Sequence, residues 1–151
     1  LQLLPFKIEL PHIMTRSIWI NLPVKDVSKS KVFFTHIGFT PNTNYGAGDD
    51  SASFLVGDDK LVIMLFQKSI FEGFAGVDLP EQLTGSEVLF SIDAESPEEV
   101  DEISKRVIEA GGILYGEPGY KDGWMYGCGF VDLDGQRWNI LYMDTSKMPM
   151  G

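Results

Sequence analysis

Few side chains in this sequence are equipped for chemistry, and the most promising is Glu87 in "EVLFSID". A carboxylate on a partly apolar floor has its charged form disfavoured, which suits a general base. The competing reading pairs Glu87 with Arg137 or a lysine, or leaves it solvated. Asn21 in "SIWINLPV" and Asn139 in "RWNILYMD" are amides set among apolar neighbours, placed to orient a ligand carbonyl or amide. Trp19, Trp124 and Tyr126 would form an aromatic clamp for a planar or cationic ligand, although aromatics more often fill cores. Cys128 lies between two glycines in "YGCGF". A free cysteine is usually a small buried hydrophobe, and a nucleophile needs a base beside it. His36 falls near a helix C-terminus, where a cation is favourable, and His12 lies in the opening segment, so neither completes a dyad. "DLDG" (132–135) lacks the further ligands of a calcium loop and reads as a hairpin turn. The glycines permit bends and close backbone approach, but no G-x-G-x-x-G opens a helix as a dinucleotide site requires.

Two helices and a set of short strands must position these groups. In "DVSKSKVFFTHIGF", Asp26 caps a helix whose apolar stripe is Val27, Phe33, Phe34 and Ile37, and Gly38 closes it. In "SPEEVDEISKRVIEAGG", Ser96 is the N-cap, Pro97 takes the first helical position and Glu99 completes a capping box. Val100, Ile103 and Val107 form its buried stripe. One strand precedes each helix (17–24 and 87–93), and three follow it. The followers lie near 39–44, 51–57 and 60–66 in the first copy, and near 112–117, 124–132 and 136–143 in the second. A β-α-β-β-β unit therefore occurs twice, and such internal repetition outweighs any single motif. The connector "QKSIFEGFAGVDLPEQLTGS" carries one short helix at "KSIFEGF".

Strand alternation sorts the side chains into two faces. Ile18, Ile20, Leu22 and Val24 share one face with Leu61, Ile63 and Leu65. The second module repeats it with Val88, Phe90 and Ile92, and with Trp138, Ile140 and Tyr142. This face should pack under the helix of its own module. The opposite face mixes Trp19, Asn21, Met64, Phe66, Glu87, Leu89, Arg137 and Asn139. A face neither core-like nor surface-like suits the wall of a ligand cavity, with a wetted sheet or a subunit interface as the alternative.

Bulk properties limit the function classes. The chain has 151 residues, 44% hydrophobic and 23% charged, which fits one soluble α+β domain. A formal charge of −10 with 12 Lys and Arg argues against a nucleic-acid partner. No apolar run approaches the roughly 20 residues of a membrane span. The single cysteine points to a reducing, cytoplasmic setting. The opening "LQLLPFKIELPHI" lacks a basic start and a small-residue cleavage site, so it reads as an extension or an expression remnant and not a signal peptide. The expected organisation is an extension (1–13), a first module (14–66), a linker (67–85), a second module (86–144) and a tail (145–151).

Over residues 15–144, the paired modules, "INLPVKDVSKSKVFFTHIGF" and "MYGCGFVDLDGQRWNILYMD" resemble the vicinal oxygen chelate superfamily. That group includes glyoxalase I, extradiol dioxygenases, and the bleomycin- and fosfomycin-resistance proteins. The likeness is nearest to a bacterial branch labelled predicted lactoylglutathione lyase. The resemblance implies two βαβββ modules forming a cup-shaped, half-barrel sheet, and a homodimer. It also implies a divalent metal (zinc, nickel or iron) held from the first and fourth strands of each module.

Carried over by motif, those ligand positions are Trp19, Met64, Glu87 and Asn139. An indole offers no lone pair, a thioether is a weak donor for these ions, and an amide oxygen is a modest one. A one-residue slip on the 60–66 strand brings in only Ile63 or Leu65. A catalytic site needs about three good protein ligands, so the expectation is no metal and no cofactor. The reading is a small-organic-molecule binder, with Trp19, Asn21, Met64, Phe66, Glu87, Leu89, Trp124, Tyr126, Arg137 and Asn139 lining the cavity. The alternatives are a metal-dependent lyase, isomerase or dioxygenase, a metal-free enzyme with Glu87 as base, and a structural module.

Overall fold

The computed structural model describes Thr15, residues 17–44 and residues 48–150. The expected extension, with His12, lies outside the described residues. The first module comprises β1 (Trp19–Val24), α1 (Val27–His36), β2 (Thr40–Pro41), β3 (Ser51–Val56) and β4 (Leu61–Gln67). After α2 (Lys68–Ala75), the second comprises β5 (Leu89–Asp93), α3 (Pro97–Glu109), β6 (Ile113–Lys121), β7 (Met125–Val131) and β8 (Arg137–Met143). The α+β class and the repeated β-α-β-β-β order expected from the sequence are present. Each module forms its own four-stranded open sheet, ordered β1-β4-β3-β2 and β5-β8-β7-β6. In each, the first strand lies parallel to the fourth and the remaining pairs are antiparallel.

Local chemistry fixes the helix ends. The Asp26 carboxylate accepts from Lys29 N–H at 2.9 Å, and Ser96 Oγ accepts from Glu99 N–H at 3.1 Å. The Glu99 carboxylate reaches back to Glu95 N–H, one residue before the cap, so the expected capping box is formed in its Ser96 half only. The short helix expected in the connector is α2.

One aromatic core serves both sheets. In a single continuous sheet running from β2 to β6, β2 and β8 would lie five strand spacings apart, roughly 24 Å. Instead the ring of Phe39, next to β2, lies 5.6 Å from that of Trp138 on β8. Phe34 on α1 lies 5.8 Å from Phe54 of the first sheet and 5.5 Å from Trp138 of the second. Its neighbour Phe33 reaches Phe130 on β7 at 6.3 Å. The helix-side faces of both sheets therefore bury one common cluster with α1 and α3 in it. The expectation that each face packs only under its own helix is too narrow, because α1 serves both modules.

Two surface contacts lock the modules together. The carboxylate of Asp134, in the β7–β8 hairpin, accepts from Lys25 N–H at 2.9 Å and from Ser30 Oγ at 3.1 Å. His36 at the end of α1 lies 3.1 Å from the Glu109 carboxylate at the end of α3. Among the described residues no helix is long and apolar enough to cross a membrane.

Candidate functional site

A shared core has a direct consequence for the site. The faces opposite the core turn away from it, so the cavity residues expected from the sequence divide between two separate surfaces.

On the first sheet, β1 and β4 run parallel with Trp19 beside Val62, Asn21 beside Met64 and Pro23 beside Phe66. Trp19, Asn21, Val62, Met64 and Phe66, with Ile18 and Leu61, line an open cleft of about 690 Å³. Its walls are mainly apolar, and Asn21, Ser17, Asp59 and Lys60 supply the polar groups. Trp19 remains 57% exposed and Ile18 73% exposed, an unusual amount of large apolar surface to leave in water. Trp19, Asn21, Met64 and Phe66 thus lie together on one wall of this cleft.

On the second sheet, Asn139 projects from the central strand β8 on the face away from the core, flanked by Ser91 and Gly129 in register. Its side-chain oxygen accepts from the Tyr115 hydroxyl at 2.9 Å, and that hydroxyl also lies 3.2 Å from the Trp138 carbonyl. The Arg137 guanidinium sits over the Tyr115 ring, 4.6 Å from its centroid. Tyr115 fits because Gly129 has no side chain, as a Cβ there would run into the ring. Gly127, two residues earlier on the same face, leaves room for the Leu141 side chain, which a Cβ would approach to 2.7 Å. Burial pushes the Tyr115 phenol above its ordinary range, with Arg137 opposing the shift. Sequence reasoning overlooked Tyr115. The signal was the pair of glycines at alternate positions of β7, which leaves a trough that an aromatic from the neighbouring strand fills.

Three assignments are corrected. Glu87 lies in the bend before β5, which begins only at Leu89, and it is exposed. The apolar floor that would make it a base does not surround it, and no salt bridge among the described residues joins it to Arg137. Tyr126 shares the core-facing side of β7 with Cys128 and Phe130, and its hydroxyl donates to Asp101 on α3 at 2.7 Å. That hydrogen bond is the main cause of its raised pKa. Trp124 sits in the turn before β7, its carbonyl accepting from Asp144 N–H at 2.8 Å, and does not line the first cleft. The clamp of Trp19, Trp124 and Tyr126 therefore does not exist within one chain. Cys128 is buried on the core side, and desolvation raises its thiol pKa to about 11.

Solved structures match this architecture over most of its length. Hypothetical protein SA1046 from S. aureus is 34% identical over 85% of this chain and 94% of that one, with a TM-score of 0.74. A glyoxalase-related enzyme from Fulvimarina pelagi is 17% identical, covering 92% and 94%, also with a TM-score of 0.74. The fosfomycin resistance protein FosX from Listeria monocytogenes, solved with Mn(II) and sulfate, is 19% identical over 89% and 95%, with a TM-score of 0.64. The chain belongs to one family with the S. aureus protein, and its fold is that of the glyoxalase-related structures. No family model matches its sequence, and no curated protein does.

The resemblance to the vicinal oxygen chelate superfamily can be tested on that group's metal donors. The positions carried over by motif, Trp19, Met64, Glu87 and Asn139, supply an indole, a thioether, an exposed carboxylate ahead of its strand, and an amide already engaged by Tyr115. Among the described residues, no three of His, Cys, Asp and Glu come together as a metal would need. The donor set does not fit a catalytic divalent ion, which calls for about three good ligands around an open position.

Proposed function

We propose that this protein binds a small organic molecule on its core-distal sheet faces without the superfamily metal, and that a homodimer completes each site. The observation that carries the reading is the cleft built on Met64 and Trp19. It has the size of a ligand pocket and is walled by apolar groups, with a few polar ones at its margin. An apolar wall that leaves Trp19 more than half exposed is an incomplete pocket.

Support for the dimer comes from the same geometry. The first-sheet face and the second-sheet face cannot close on each other within one chain, because the core lies between them. A second copy can lay its second-sheet face, with Leu89 53% exposed, over the first-sheet cleft. Two such contacts form by two-fold symmetry. The listeria relative carries Mn(II) in its structure, whereas this chain has Trp19 and Met64 where the family motif expects strong donors. The lactoylglutathione-lyase reading and the reading of Glu87 as a metal-free base have no comparable geometric support.

The test is a thermal-shift screen of small organic molecules on the intact chain, repeated with Met64→Arg. Ligands bound at about a hundred times Kd should stabilise the native protein by about 2.7 kcal/mol, and Met64→Arg should abolish that gain. Stabilisation that survives Met64→Arg would place binding elsewhere and refute the cleft.

A further inference from the structure

We propose that Arg137 is an anion anchor, and that the molecule bound on these faces is an organic carboxylate with an apolar body. This inference rests on the small-molecule reading above and deepens it.

Six of the described lysines and arginines, Arg137 among them, take part in no salt bridge, and what sets Arg137 apart is its place over an aromatic ring on the core-distal face. Arg106, on the surface of α3, is paired with Glu102 at 2.9 Å. Arg137 takes part in no salt bridge among the described residues. Its contact is with the Tyr115 ring, which lies under the guanidinium and restricts its motion. No hydrogen bond of the Arg137 side chain is present among the described residues, so its N–H groups are available to meet a carboxylate in two parallel bonds.

The support beneath it is rigid. Arg137 starts β8, which is paired on one side with Leu89 of β5 and on the other with Val131 of β7. Tyr115 is held in turn by its hydrogen bond to Asn139 and by its seat against Gly129. With its oxygen taken by Tyr115, the Asn139 amide presents N–H groups to any ligand, so the face offers donors beside a positive charge. In the proposed dimer, the partner's first-sheet cleft supplies the apolar complement. A carboxylate at one end and a hydrocarbon or aromatic body at the other match the two surfaces.

The experiment uses a matched pair of probes, 3-phenylpropionate and its neutral analogue 3-phenylpropanamide. Each is titrated into the full chain and followed by two-dimensional NMR of the backbone and of the Asn139 and Arg137 side chains. Sedimentation gives the oligomeric state of each variant. A charge-assisted pair should make the carboxylate bind about tenfold tighter than the amide. In Arg137→Gln that preference should vanish, with other resonances unchanged. Equal binding of both probes in the parent protein, with shifts at Trp19 and Met64, would overturn the anchor while leaving the binding reading intact. If neither probe shifts either face, the anchor and that reading fail together. Should Arg137→Gln instead dissociate the dimer while the carboxylate preference persists, Arg137 is an interface ion-pairing residue and the proposal is wrong.

Discussion

Replacing Asp132 with asparagine should favour the protein at neutral pH and leave it with a steeper loss of stability in acid than the parent, by an amount the structure allows to be worked out. Asp132 lies in the β7–β8 hairpin and is only 7% exposed. Its carboxylate accepts from Trp138 Nε1 at 3.0 Å, Asp134 N–H at 2.9 Å and Gln136 N–H at 3.0 Å. Desolvation dominates these three donors and raises its pKa from 3.8 to about 6. Because the folded value lies above the unfolded one, the group's contribution to stability is fully present below pH 3.8 and is lost as pH rises through about 6. A shift of about two units corresponds to about 3 kcal/mol. Asparagine cannot ionise, so its stability relative to the parent should improve by about 3 kcal/mol between pH 3.5 and pH 7.5. Urea denaturation of both proteins across this range measures the difference, in which the other titrating groups cancel. A difference that stays constant with pH would refute the reasoning, and one that moves in favour of aspartate would show that the three hydrogen bonds outweigh burial.

Other consequences can be checked on stability and reactivity. Gly129→Ala should cost about 1–3 kcal/mol by crowding the Tyr115 ring, and far less in a Tyr115→Ala background, a coupling that a double-mutant cycle in urea would measure. Trp138→Ala should cost about 3–5 kcal/mol. Calorimetry should still show one transition, because α1 packs on both sheets; two separated transitions would contradict the shared core. Cys128, with a thiol pKa of about 11 and a core position, should react with a disulfide reagent at pH 8 only as fast as the protein unfolds. Rapid labelling of the native protein would show the thiol to be accessible.

The fold was largely legible because its punctuation is local. Ser96, Pro97 and Glu99 define a helix start by hydrogen bonds within four residues, and the alternation in "KLVIMLF" assigns faces without any tertiary knowledge. Errors arose where the answer depends on a neighbouring strand or on distance. The alternation in "EVLFSID" places Glu87 on a strand, but β5 pairs with β8 only from Leu89, opposite Arg137. Tyr126 looked like a ligand clamp until the β7–β8 register set it with Cys128 and Phe130 on the core side. The facing of the two sheets had a faint trace in Phe33 and Phe34. Consecutive residues on a helix diverge by about 100°, so two buried phenylalanines in a row widen the apolar stripe enough to meet two sheets. Asn139, an amide in an apolar run, is explained by Tyr115, a partner 24 residues away that strand periodicity alone cannot identify.

The measurement closest to the central claim is the metal content of protein grown with manganese, nickel, zinc and iron and purified without chelators. If Trp19, Met64 and a Tyr115-engaged Asn139 stand where the motif expects metal ligands, elemental analysis should find far less than one ion per chain. Subsequent additions of each ion should leave the melting temperature unchanged. A stoichiometric ion whose removal by chelation destabilises the protein, and whose binding Asn139→Ala abolishes, would contradict the account.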